Sequence, residues 1–115
     1  MTPRFDNREV SAVVGLLAGR WVLSVLAHVA SDPMRHRELL DAIDGISEKV
    51  LTDTLRRMER DGLIVREVGS GVPSHVVYCA TPLAQTLDEP LRAMLAWKKT
   101  HWDAVETSRL RWDNE

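Results

Sequence analysis

Ser47-Glu48-Lys49-Val50-Leu51-Thr52-Asp53-Thr54-Leu55-Arg56-Arg57-Met58-Glu59-Arg60-Asp61-Gly62-Leu63-Ile64 decides how this chain folds. It reads as one helix with both ends written into it. The Ser47 hydroxyl can accept from an unpaired backbone N–H of the first turn. Gly62 suits the left-handed residue just past a helix end. Between them Leu51, Leu55 and Met58 make one apolar stripe. Lys49, Asp53, Arg56 and Arg60 fall on roughly the opposite face. Such a helix can enter a DNA major groove. Its polar face also suits plain contact with water, so the flanking elements decide.

Upstream, Asp44-Gly45-Ile46 forms a tight turn, and residues 35–43 read as a helix with Leu39, Leu40 and Ile43 inward. Residues 20–30 make an earlier helix on Trp21, Val22, Val25, Leu26 and Val29. Ser31-Asp32-Pro33 ends it, because proline disfavours helix at the residue before it. Val10, Val13, Val14 and Leu17 stripe a first helix over residues 7–18. Downstream the period changes. Residues 63–68 and 75–80 are β-branched, partly alternating runs separated by Gly69-Ser70-Gly71-Val72-Pro73-Ser74, a hairpin with a longish loop. Thr81 and Pro82 suit the N-cap and first position of a closing helix. Leu83, Leu87, Leu91, Met94, Leu95 and Trp97 continue it, and helical character runs to Trp112. Pro90 is expected to kink or split it after about two turns. The plan is mainly α with a small β-hairpin (α+β): a winged helix-turn-helix, whose short turn contains Gly45.

Composition bounds the function. With 115 residues the chain is expected to be one domain. An apolar share of 44% and a charged share of 28% suit a soluble globular protein. Fifteen Lys and Arg against seventeen Asp and Glu give a net charge of −2. That excludes a strongly basic coat for nucleic acid but not a reader with a few local phosphate contacts. No apolar run reaches membrane-spanning length and no signal peptide opens the chain, so no membrane partner is expected. A single cysteine makes no internal disulfide and fits a reducing cytoplasm. Cys79 reads as an inert thiol, since nothing cationic stands beside it to lower its pKa. The histidines at 28, 36, 75 and 101 show no ligand spacing with it, so no metal or cofactor is assigned. No phosphate loop or nucleophile–base pairing suggests an enzyme.

Several spaced motifs resemble one family. Gly19-Arg20-Trp21 is similar to the Gly-Lys-Trp signature of HxlR-type (MarR-like) transcriptional regulators. Arg37-Glu38-Leu39 before Ile46-Ser47-Glu48-Lys49-Val50-Leu51-Thr52 also resembles that family, as does residues 55–64 beside its Leu-Arg-x-Leu-Glu-x-Asp-Gly-Leu segment. Val72-Pro73 to Tyr78, then Thr81 through Leu87, Pro90 and Trp97, complete a match over residues 9–100. The resemblance implies a homodimeric DNA-binding regulator. Its first and last helices would form the dimer interface, its fourth helix would read the major groove, and its wing would reach a minor groove. The single domain 1–115 then divides into N-terminal helices (7–30), helix-turn-helix (35–62), wing (63–80) and C-terminal dimerisation helices (81–112). Two departures stand out. Residues 8–12 lack the cysteine that many relatives use as a sensor, so a thiol switch is not transferred. Ser74-His75 stands where the family's wing often carries arginine, which makes wing insertion weaker or pH-dependent.

The candidate DNA-binding residues follow. Ser47, Lys49 and Thr52 project from the start of the reading helix toward base edges or phosphates, with capping the other role for Ser47. Arg56 and Arg57 lie later and suit phosphate, which positions without specifying sequence. Asp53, like Glu48, would repel phosphate and suits pairing with a neighbouring cation. Arg35 and Arg37 flank His36 at the start of the preceding helix, placed for backbone contacts or for solvent. Ser74 and His75 represent the wing. The expected dimer interface is Val10, Val13, Val14, Leu17, Leu91, Met94, Leu95, Trp97 and Trp102. Four tryptophans are many for this length, and aromatics dominate interfaces. Trp21, Trp97 and Trp102 are also candidates to line a pocket for a flat apolar effector. The function expected is a sequence-specific DNA-binding transcriptional regulator, a homodimer on a pseudo-palindromic operator of double-stranded DNA, with a possible small-molecule effector. The alternative is a winged-helix protein-interaction module, kept open because residues 47–68 hold five Lys/Arg and five Asp/Glu.

Overall fold

The computed structural model describes residues 4–17, 19–69 and 75–115. Its elements in chain order are α1 (Asn7–Leu17), α2 (Arg20–Val29), β1 (Met34–Arg35), α3 (His36–Ala42), α4 (Glu48–Arg60), β2 (Ile64–Val68), β3 (Val76–Ala80), α5 (Pro82–Gln85) and α6 (Asp88–Asp113). The chain divides into two units, one ending at Gln85 and one spanning Thr86–Glu115. No single helix among the described residues is long and apolar enough to cross a membrane.

Both ends of α4 form as its sequence dictates. Ser47 Oγ accepts from the Val50 N–H at 3.1 Å. At the other end the Leu63 N–H donates to the Met58 carbonyl at 2.9 Å and the Gly62 N–H to the Glu59 carbonyl at 3.1 Å. This is the paired closure of a Schellman motif, and Gly62 takes the left-handed φ of +78° it requires. Gly45 makes the α3–α4 turn with φ +83°. Between its caps α4 buries Leu51, Leu55 and Met58 completely or nearly so. They join Val22, Val25, Leu26 and Val29 of α2, Leu39, Ile43 and Ile46 around α3, and Leu63, Ile64 and Ala84. Leu40 is only half-buried, so the inward stripe of α3 is narrower than its periodicity suggests.

The hairpin expected from the alternating runs is part of a three-stranded antiparallel sheet in the order β1-β3-β2. Met34 pairs with Tyr78 and Arg35 with Val77. A two-residue strand carries no periodicity of its own; it exists because β3 offers a second edge. Arg35 therefore lies in β1 and precedes α3, which begins at His36 rather than at 35.

Thr81 joins the sheet to α5. Its hydroxyl accepts from the Ala84 N–H at 3.1 Å and donates to the Gly62 carbonyl at 2.6 Å. The expected break near Pro90 falls earlier, at Thr86–Leu87, and α5 is a single turn. Pro90 is instead the third residue of α6. Inside a helix its ring would clash with the carbonyl four residues back, at Thr86, and it has no N–H to donate there. In the first turn neither demand arises, so the helix restarts just ahead of the proline.

Backbone and packing contributions separate in two variants. A Cβ at Gly62 would meet Leu83 Cδ2 at 3.6 Å, an ordinary contact, so Gly62→Ala carries only the left-handed backbone cost. Urea unfolding should show it less stable by about 1–2 kcal/mol. Leu51→Ala, which leaves a cavity, should cost about 2–5 kcal/mol in the same measurement.

Candidate nucleic-acid interface

Once its stripe faces the core, α4 presents an outer face and two flanks. On the outer face Lys49 Nζ donates to Asp53 Oδ2 at 2.8 Å, across one helical turn. The hydrogen bond to Asp53, then its charge, raises the Lys49 pKa. The same bond and charge lower that of Asp53, with a smaller push from Arg56. Both groups stay charged at neutral pH, and the cation meets its anion before any ligand arrives. Exposed pairs of this kind contribute little to stability; this one tempers the field of the outer face. Ser47, at the start of that face, has its oxygen engaged as the cap.

One flank of α4 faces the sheet. Thr52, Leu55, Arg56 and Glu59 line a groove of about 260 Å3 with Arg66 of β2 and Tyr78 of β3. Arg66 Nε stands 3.7 Å from Glu59 Oε1. Thr52 Oγ1 lies 3.3 Å from His36 Nε2, so the hydroxyl is held across the helix-turn-helix by α3. The other flank faces α1. There the Arg57 guanidinium donates to the carbonyls of Gly15 and Leu16, two of the carbonyls that α1 itself leaves unpaired. Arg57 thus caps α1, while Arg56, its neighbour in sequence, is exposed on the other side.

The remaining candidates are scattered. Arg37 pairs with Asp41 at 3.5 Å, both well exposed. The Arg35 backbone N–H donates to Glu38 Oε1 at 3.0 Å, and its side chain is exposed. In the wing, His75 is half-buried with its ring against Gly69, where a Cβ would come within 2.5 Å of Nε2. Ser74 lies outside the described residues. Cys79 donates from Sγ toward Glu67 Oε2 at 3.7 Å. Burial pushes its thiol pKa up, and the Glu67 carboxylate adds to that.

The candidate effector and dimer residues divide between the two units. In the first, Trp21 is half-buried with the Arg20 guanidinium 4.3 Å from its ring centroid. Val10, Val13 and Val14 lie bare along α1, and Leu17 is half-buried. In the second, Trp97 packs at 5.3 Å on His101, and Trp102 has Lys98 and Arg109 over its ring at 5.5 and 5.2 Å. Met94, Leu95 and Trp97 are exposed along α6, with Leu91 and Trp102 half-buried. Sequence reasoning passed over Glu59, Arg66 and Tyr78. Glu59 follows Thr52 by seven residues and so shares its flank, a signal within reach; Arg66 and Tyr78 join it only through the Arg66–Tyr78 strand register.

Two substitutions test these assignments. Arg57→Met removes the cap on α1, and hydrogen exchange should show faster opening of the amides in residues 10–17 with the sheet unchanged. Glu67→Gln removes the anion beside Cys79. Its thiol pKa should fall part of the way back, and alkylation by iodoacetamide at pH 8 should be faster than in the parent protein.

The chain is similar to known regulators over most of its length. Residues 16–106 match the model of the HxlR-like helix-turn-helix family. YdeP, named as an HTH-type transcriptional regulator of Bacillus subtilis (strain 168), is 30% identical over 102 residues, covering 89% of this chain and 80% of that protein. A protein of Methanothermobacter thermautotrophicus, also named as an HTH-type transcriptional regulator, is 34% identical over 87% of this chain and 76% of its own length. The crystal structure of a protein named as a MarR-family transcriptional regulator from Enterococcus faecalis V583 superposes with a TM-score of 0.75, at 33% identity over 94% of this chain and 97% of that one. With α4 capped at both ends, a wing beside it and this likeness in sequence and structure, the chain belongs to the HxlR-like helix-turn-helix family of DNA-binding transcriptional regulators.

Proposed function

We propose that this regulator binds a pseudo-palindromic operator as a homodimer in the cytoplasm, with α4 in the major groove of each half-site. The observation that carries the reading is the orientation of α4: its apolar stripe is fully used by the core, which leaves Lys49, Arg56 and Arg60 exposed to solvent. Lys49 and Thr52, near the helix start, are assigned to base edges and adjacent phosphates. Arg56 is assigned to phosphate, and Arg57 to holding α1. Asp53 competes with DNA for Lys49 and so keeps affinity for arbitrary sequence low.

The dimer rests on apolar surface that each unit leaves bare. Val10, Val13 and Val14 of α1 are 46–58% exposed, and Met94, Leu95 and Trp97 of α6 are 53–65% exposed. Water penalises such area by roughly 25 cal/mol per Å2, which burial against a second copy relieves. A two-fold dimer would place its reading helices about one DNA turn, roughly 34 Å, apart.

Fluorescence anisotropy on the upstream intergenic duplex and on a scrambled one, across a salt series, tests the reading. Preferential, salt-sensitive binding is expected; no binding even at low salt would leave the protein-interaction alternative. Arg56→Ala should weaken binding to both duplexes and lower the salt slope by about one. Thr52→Ala should change the preference between them. Light scattering should give twice the chain mass, reduced by Val13→Glu or Met94→Glu.

A further inference from the structure

We propose that the groove between α4 and the sheet is a seat for one phosphate of the DNA backbone, held by Arg66 and Arg56 and occupied in the free protein by the carboxylate of Glu59. The inference deepens the DNA-binding reading and rests on it. Arg66 leaves β2 at a point fixed by its register with Tyr78. Its guanidinium meets Glu59 at 3.7 Å, beyond the 2.7–2.9 Å or so of a tight charge-assisted hydrogen bond. The pair is therefore loose, and its arginine side is 61% exposed against 31% for the glutamate. Arg56 lines the same groove from α4, so two guanidinium groups share the lining with one carboxylate, while Asp53 acts on Arg56 from outside it. Planar guanidinium forks suit phosphate oxygens. Tyr78, Leu55 and Thr52, whose oxygen lies beside His36, complete the lining.

The position favours a duplex over a free anion. The groove borders the reading helix on the wing side, where a strand seated on α4 would carry its phosphates past Arg56. Glu59 then acts as an internal competitor. A phosphate enters only by displacing it from Arg66, which handicaps weak, unspecific complexes most.

The test uses the full-length protein and the two duplexes above, with inorganic phosphate as a separate probe. Arg66→Ala should weaken binding to both duplexes three- to tenfold and reduce the salt slope by about one. Glu59→Gln should tighten binding, more for the scrambled duplex than for the native one. A gain of affinity does not arise from misfolding, so this variant decides the matter even if Arg66→Ala folds poorly. Parental affinity and slope in both variants, with Arg56→Ala still weakened, would overturn the seat and leave the DNA reading standing. Failure of the parent protein to bind either duplex would overturn that reading itself. If inorganic phosphate raises the melting temperature through Arg66 while duplex affinity ignores Arg66, the groove holds a free anion and the DNA seat is wrong.

Discussion

The burial of Leu51, Leu55 and Met58 against α2 and its neighbours is the constraint on which the rest depends. A helix free to roll about its axis presents no fixed chemistry. Three interlocked side chains remove that freedom, because a turn of the helix by one residue would expose one of them and bury a charge. Large-to-small substitutions at such sites cost several kcal/mol, far more than any exposed ion pair on this helix provides. Packing thus sets the direction in which every polar residue of α4 points.

That single orientation sorts α4 into parts with different duties. Arg56 and Arg57 are adjacent in sequence, yet one lines the groove beside the wing and the other caps α1. Successive residues on a helix point about 100° apart, and the elements packed on either side convert that angle into separate roles. Thr52 shows the same principle at a shorter range. Its hydroxyl, which could otherwise rotate, is held near His36 by the tight α3–α4 turn.

The electrostatics are moderate by construction. Lys49 faces Asp53, Arg66 faces Glu59 and Arg37 faces Asp41, so three cations come with an anion attached. A reader with unopposed cations would bind any duplex, since phosphate attraction is independent of sequence. Here these cations meet carboxylates of the same chain. Cys79 follows the same logic: burial and the Glu67 carboxylate both push its thiol pKa up.

The sequence alone determined the helix-turn-helix, the caps at Ser47 and Gly62, the core stripe and the hairpin, because these depend on local geometry that residues a few positions apart dictate. It also carried the family, through motifs spread along the chain. Tertiary structure decided the rest. The strand β1 forms only against β3; the helix break moved from Pro90 to Thr86–Leu87 because the proline acts on the carbonyl behind it. Glu59, Arg66 and Tyr78 share a groove because strand register brings distant residues level, and Arg57 turned to α1 because unpaired carbonyls awaited it there. A periodic pattern tells which residues share a face, but what stands opposite that face is set by how the elements pack.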